Sequence, residues 1–264
     1  MSGSTSNLPS VSTPPPAHRA RDARDPVPEG RQAVPAATSR ARSGPAQAVP
    51  AGAGLVVVLL VGLVVAPLRA WTTAELSVVQ WLSAHHTPAL DAVTGVIGTL
   101  ASPPVGLGLL VVLCAAGARL VGVRRAVVLL GVAGLTLAGG IVLKVLVHRP
   151  RPDVALLASP PPVDTSFGYP SGHTTVAAVL VLTALALLGG RRSRLWAPVG
   201  VLLAVVVAAS RVYLGAHYPL DVVAALVYAV SAFTLASVLV TTTPAQRALA
   251  LVRLDTPAHE GDHA

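Results

Sequence analysis

The chain has 264 residues, a mean hydropathy of +0.69, and 53% hydrophobic against 11% charged residues, which is too apolar for an ordinary water-soluble domain of this length. Its net charge of +8 raises a nucleic-acid partner, but the arginines sit in tails and between apolar runs, and 3 Trp, 4 Tyr and 2 Phe offer little for stacking, so no nucleic acid is expected. The single cysteine, Cys114, lies inside an apolar run, can form no intrachain disulfide and reads as a small core residue.

Residues 1–50 are rich in Pro, Ser, Ala and Arg without apolar periodicity and read as a disordered cytoplasmic tail. Roughly fifty polar residues before the first apolar run argue against a secretory signal. Residues 51–68 are continuously apolar, long enough for a ~30 Å hydrocarbon core, and form the first predicted span. Residues 72–100 instead alternate apolar positions with Glu75, Gln80, His85, His86 and Asp91, and Pro88 divides them into two short interfacial helices. Adjacent His85 and His86 point in different directions on a helix, so they read as interfacial polar residues rather than metal ligands. Five further spans follow at 104–121, 126–147, 173–190, 195–213 and 219–240, with a proline-rich loop at 148–169 and arginine-bearing turns at 119–125 and 191–194. A polar cytoplasmic tail occupies 241–264. The expected fold is all-α, a six-transmembrane helix bundle over 51–240 with two short interfacial helices and disordered tails, and no internal repeat.

An even span count puts both tails and the two arginine turns on one side, with fourteen of the chain's arginines. That side is expected to be cytoplasmic by the positive-inside rule, making this a multi-pass cell-membrane protein with both termini inside. The opposite, outer face then collects the end of the third span, the start of the fourth and the junction of the fifth and sixth. Three polar clusters meet there: Lys144 to Arg151, Pro170 to His173, and Ser210 to Asp221.

Ionisable residues at membrane depth are costly and point to function. Lys144, Arg149, Arg151 and Arg211 outnumber the single carboxylate Asp221, so an anion is missing from this pocket. Ser171 is a favoured N-cap, and Pro170-Ser171-Gly172 opening an apolar helix turns the first-turn amides of residues 171–173 toward a ligand. Cations and amides together suit the non-bridging oxygens of a phosphoryl group. His217 and Asp221 are four apart, so the carboxylate can orient one imidazole nitrogen and leave the other as nucleophile. His173, at the helix start, is the candidate acid for the leaving oxygen. No Cys/His ligand spacing or run of carboxylates is present, so catalysis without a metal or other cofactor is expected.

These residues resemble the three-part signature of the type 2 phosphatidic acid phosphatase superfamily: Lys144, six residues, then Arg151-Pro152; Pro170-Ser171-Gly172-His173; and Ser210-Arg211, five residues, His217, three residues, Asp221. The resemblance implies that Lys144, Arg151 and Arg211 bind phosphate with the Ser171 hydroxyl and the Gly172 amide. It implies also that His217 becomes a phosphohistidine oriented by Asp221, that His173 protonates the leaving group, and that water then hydrolyses the intermediate. Arg149 lies outside the signature and is taken as a rim residue, a second contact for a diphosphate.

The expected activity is therefore hydrolysis of a lipid phosphate on the outer leaflet. The candidate substrates are a polyprenyl diphosphate, phosphatidic acid or phosphatidylglycerophosphate. A non-hydrolytic lipid-phosphate transporter or binder is the alternative, and a vanadate-dependent haloperoxidase a weaker one. The loop at 153–169, with Asp153 and Asp164, and the helices at 72–100 are expected to shape the lipid entrance. Nothing in the sequence fixes the oligomeric state.

Overall fold

The computed structural model describes residues 44–162 and 164–240. Within them the chain folds into eight α-helices and no strand: α1 (Gly44–Val65), α2 (Arg69–Ala84), α3 (Pro88–Leu100), α4 (Pro103–Val121), α5 (Val123–Val147), α6 (Gly172–Leu188), α7 (Gly190–Tyr213) and α8 (Pro219–Val240). The predicted tails lie outside the described residues except for the stretch from Gly44. There the first helix begins ahead of residue 51 and takes Pro50 into its interior.

Local chemistry sets the other boundaries. Thr87 caps α3 by accepting from the Leu90 amide, with Pro88 supplying a preset φ and no orphan N–H. Ser171 caps α6 in the same way through the Thr174 amide. Single glycines with positive φ, Gly122 at 84° and Gly189 at 62°, join α4 to α5 and α6 to α7. The two arginine turns are therefore shorter than expected: Arg119 closes α4, Arg124 and Arg125 open α5, and Arg191, Arg192 and Arg194 lie in the first turns of α7.

Five helices, α1, α4, α5, α7 and α8, are long and apolar enough to cross a membrane. The expected fourth span, α6, is apolar but only 17 residues long, about 26 Å at 1.5 Å per residue. Its caps at Ser171 and Gly189 cut it at both ends, so the six-span count is not reproduced by length. The short pair α2 and α3 forms as the polar alternation and Pro88 require.

Helix α8 packs against α1, α5 and α6. Its buried face is built from Ala224, Ala225, Ala229 and Ala236, small enough to bring three neighbours close. Cys114 lies in the main core beside Leu110, Val132, Val179 and Phe233. On the outside of the bundle, Val112, Ile141, Leu195 and Leu202 are each more than 60% exposed, an apolar belt suited to lipid rather than water. The α4–α6 contact is set by missing side chains. A Cβ on Gly106 would stand 2.1 Å from Val176, and one on Gly117 would stand 2.6 Å from Leu187. Both pairs repeat after three turns, so two knobs of α6 sit in two notches of α4.

Candidate active site

The C-terminal ends of α5 and α7 and the N-terminal ends of α6 and α8 lie at one end of the bundle, where the described residues of the connection between α5 and α6 bond to them through Arg151, Phe167 and Ser171. A backbone bond from the Ser171 amide to the Asp221 carbonyl (3.0 Å) joins the starts of α6 and α8. The Ser171 amide is thus occupied, and the expected cradle reduces to the amides of Gly172 and His173 with the Ser171 hydroxyl. That hydroxyl accepts from the Thr174 amide and from Thr174 Oγ1 (3.1 Å), which leaves its own proton to donate.

His217 is completely buried in the short connection between α7 and α8. Its Nε2 accepts from Arg151 Nη1 at 3.0 Å, while Nδ1 faces Asp221 Oδ2 at 3.5 Å. That contact is an ion-pair distance rather than a made hydrogen bond, and Oδ2 also accepts from the Tyr218 amide at 2.9 Å. Burial holds the imidazole down to about 4, with Asp221 opposing it and the Arg151 charge adding to it. The neutral ring, with its lone pair on the Arg151 side, is thus the state present near neutrality.

Arg151 is held on every side. Nη1 also donates to the Ala216 carbonyl, Nε to the Ser166 carbonyl, and Nη2 to Ser166 Oγ, each at 2.9 Å, and Nη2 pairs with Asp164 at 2.6 Å. Asp164 is held below its usual carboxylate range: partial burial works against this, but hydrogen bonds from Ser166 and the Arg151 charge prevail. Lys144 donates to the Phe167 carbonyl, so the last turn of α5 is fastened to the same loop. Arg211, at the end of α7, donates Nη2 to the Thr94 carbonyl of α3 at 3.0 Å and lies against Gly98. Gly168 makes room as well, since a Cβ there would stand 3.1 Å from Asp221 Oδ2.

The structure thus brings Lys144, Arg151, Ser171, Gly172, His173, Arg211, His217 and Asp221 to one end, as the spacing predicted. Arg149 is a correction. It is not a rim residue but completely buried, donating Nη1 to Asp221 Oδ1 at 2.7 Å and Nη2 to Glu75, with Tyr218 4.5 Å from its Cζ. Burial alone would lower its pKa, but Asp221 and Glu75 raise it. The expected charge excess shrinks accordingly, because Glu75 and Asp164 join Asp221 against four cations. Sequence reasoning missed Glu75, Thr94 and Gly98, all on the two short helices. The signal for Glu75 was that it is the lone acid of α2, whose other charged residue, Arg69, stands at the helix start. His86 also has a structural role: it stacks on Tyr213 and contacts Asp91 Oδ1 at 3.0 Å, tying the α2–α3 joint to the end of α7.

A helical, membrane-type bundle with a buried histidine, a second histidine at a helix start and flanking cations is the class this fold and site define. The model of the PAP2 superfamily matches residues 125–244 of this chain. Two kinds of curated relative align over shorter segments. Decaprenylphosphoryl-5-phosphoribose phosphatase of Mycobacterium tuberculosis is 40% identical over 82 residues, 31% of this chain and 42% of that one. Undecaprenyl-diphosphatase of Sulfolobus acidocaldarius is 43% identical over 63 residues, 24% of this chain and 29% of that one. The matches therefore span less than half the length of either relative. A crystal structure of a transmembrane PAP2-type phosphatidylglycerolphosphate phosphatase from Bacillus subtilis shares the fold, with a TM-score of 0.62 and 24% identity over 72% of this chain and 94% of that one.

Proposed function

We propose that the chain is an integral membrane phosphatase that hydrolyses a lipid phosphate or diphosphate through a phosphohistidine at His217. The observation that carries this reading is the placement of His217: fully buried, backed by Asp221, and presenting Nε2 to the guanidinium of Arg151 at 3.0 Å. The match to the superfamily model and relatives named as phosphatases of polyprenyl phosphates and diphosphates support it.

In this mechanism the phosphoryl group enters beside Arg151, and its oxygens take donors from Lys144, Arg151, Arg211, the Ser171 hydroxyl and the Gly172 amide. These groups neutralise charge on the phosphoryl oxygens where it is largest. Nε2 of His217 forms a bond to phosphorus as the bond to the lipid oxygen breaks, and His173 gives that oxygen its proton. Asp221 supports the imidazole as it gains positive character. His173, now neutral, takes a proton from water, which attacks phosphorus, breaks the N–P bond and returns His217. Cations of the chain supply the charge stabilisation, so turnover is expected to persist in EDTA.

The arginine distribution supports a site on the non-cytoplasmic face, with α6 as a sixth, short span and both termini inside. A lipid head can enter there while its chain remains in hydrocarbon. The test is release of phosphate by the purified chain from a panel of undecaprenyl diphosphate, decaprenylphosphoryl phosphoribose, phosphatidic acid and phosphatidylglycerophosphate. Turnover of at least one of them, abolished by His217→Ala together with acid-labile labelling from a radioactive substrate, is expected. Turnover retained by His217→Ala would refute the nucleophile, and loss in EDTA would refute metal independence.

A further inference from the structure

The segment matched by the superfamily model begins at residue 125, yet the buried Arg149 is tied to a residue well before it. Glu75, on α2, takes Arg149 Nη2 with Oε2, and its Oε1 accepts from the Leu220 amide at 2.7 Å. Leu220 precedes Asp221, so one carboxylate touches both the arginine that grips Asp221 and the helix start that carries it. Arg149 in turn holds Asp221 Oδ1 at 2.7 Å, which turns Oδ2 toward His217.

The charges decide what this does. Arg149 and Asp221 alone would form a neutral pair behind His217, offering little to an imidazole that becomes positive. With Glu75 the group carries two carboxylates and one guanidinium, a net single negative charge. We propose that Glu75 and Arg149 are positioning residues for His217: Arg149 fixes the rotamer of Asp221, and Glu75 neutralises Arg149 so that Asp221 keeps its charge for the imidazole. This rests on the reading of His217 as the attacking group. It makes the docking of amphipathic α2 a condition of chemistry as well as of folding.

The other charged or titratable groups facing His217 are Arg151 from the loop, Lys144 from α5 and His173 from α6, and none of them contacts Glu75. The test is therefore Glu75→Gln, which keeps an oxygen for the Leu220 amide and removes only the charge. One charge lost this close to a buried group should lower kcat on the order of tenfold or more, with KM changed by less than about twofold. The acid limb of the pH–rate profile should move to lower pH, because the imidazolium loses support. The Glu75→Gln/Arg149→Met double variant restores the net charge and should return the limb to its wild-type position. A merely structural role would lower the yield of folded protein in both variants and leave the limb where it was.

A Glu75→Gln variant with kcat within about twofold of wild type and an unmoved limb would overturn the inference, as would a double variant displaced further than the single. Should Glu75→Gln fail to fold, Glu75→Asp keeps the charge at shorter reach and must show the wild-type limb; a shifted limb there also overturns it. A wild-type chain that releases no phosphate refutes the phosphatase reading instead. An active wild type beside an unaffected Glu75→Gln variant refutes only the positioning role.

Discussion

Substituting Gly98 by alanine isolates the seat of Arg211 from the rest of the site. A Cβ at Gly98 would stand 2.8 Å from both Nη1 and Nη2 of Arg211 and 3.1 Å from Cζ, where ordinary contact begins at 3.4 Å. The guanidinium would have to retreat about 0.6 Å, the difference between those distances. It cannot do so freely, because Arg211 is 5% exposed and is anchored by Nη2 on Thr94 and Nε on Ser210 Oγ. Losing one charge-assisted hydrogen bond to a phosphoryl oxygen costs about 1.5 to 3 kcal/mol, roughly ten- to 150-fold in kcat/KM. The same helix supplies the control. Gly95→Ala meets nothing within 4 Å, and replacing a helical glycine should stabilise either variant by about 0.5 to 1 kcal/mol before any clash. Phosphate release from a lipid phosphate and thermal melting, measured on both variants, should show Gly98→Ala impaired in catalysis while Gly95→Ala is not. Equal kcat/KM for the two would refute the assignment of Arg211 to phosphate binding through this seat.

The low pKa of His217 also predicts a pH dependence of stability. An imidazole held near 4 in the fold against 6.5 unfolded contributes stability that is complete above pH 6.5 and is lost as pH falls toward 4, by up to about 3 kcal/mol. Melting temperature should therefore drop between pH 7 and pH 5, and His217→Asn should flatten that slope; an unchanged slope counts against the assignment. Asp164→Asn releases Arg151 from an exposed partner, and KM for a lipid monophosphate should fall by up to about fivefold. A higher KM in steady-state assays would show that Asp164 orients Arg151 rather than competing for it. Tyr169→Phe removes the buried donation from Tyr169 to the Val58 carbonyl at 2.6 Å. Loss of about 1 kcal/mol should appear as a lowered melting midpoint; an unchanged midpoint would show that this bond adds nothing.

The parts of the molecule legible in the sequence are those governed by local rules. Apolar length located α4, α5 and α8 to within three residues at each end, and the Ser171 cap and Pro88 marked two helix starts correctly. The gathering of Lys144, His173, Arg211 and His217 followed from helix direction alone, since alternate ends of successive spans must meet. Arg149 was misplaced for a physical reason. In the loop His148-Arg149-Pro150-Arg151 no helical or strand period says which arginine turns inward. The answer depends on Glu75, 74 residues away in sequence. Glu75, Thr94 and Gly98 escaped for the same cause: an amphipathic helix tells which face is polar, not which buried partner that face will meet. Helix α1 began early because Pro50, read as the end of a tail, is accommodated inside the helix.

The paired notches of α4 have a consequence for the vertical placement of His173, the proposed proton donor. Gly106 and Gly117 receive Val176 and Leu187 eleven residues apart on both helices, a separation of about 16 Å along the axis. Two pegs that far apart forbid α6 from sliding like a piston, because a slip of even one turn drives both into backbone. The height of His173 along the bundle is thereby gauged by α4, a helix that contributes no group to the site. Under the proposed mechanism, a lipid bond presented above or below that height would find His217 without its acid, so the bundle would measure how deep a head group must sit before it can be cut.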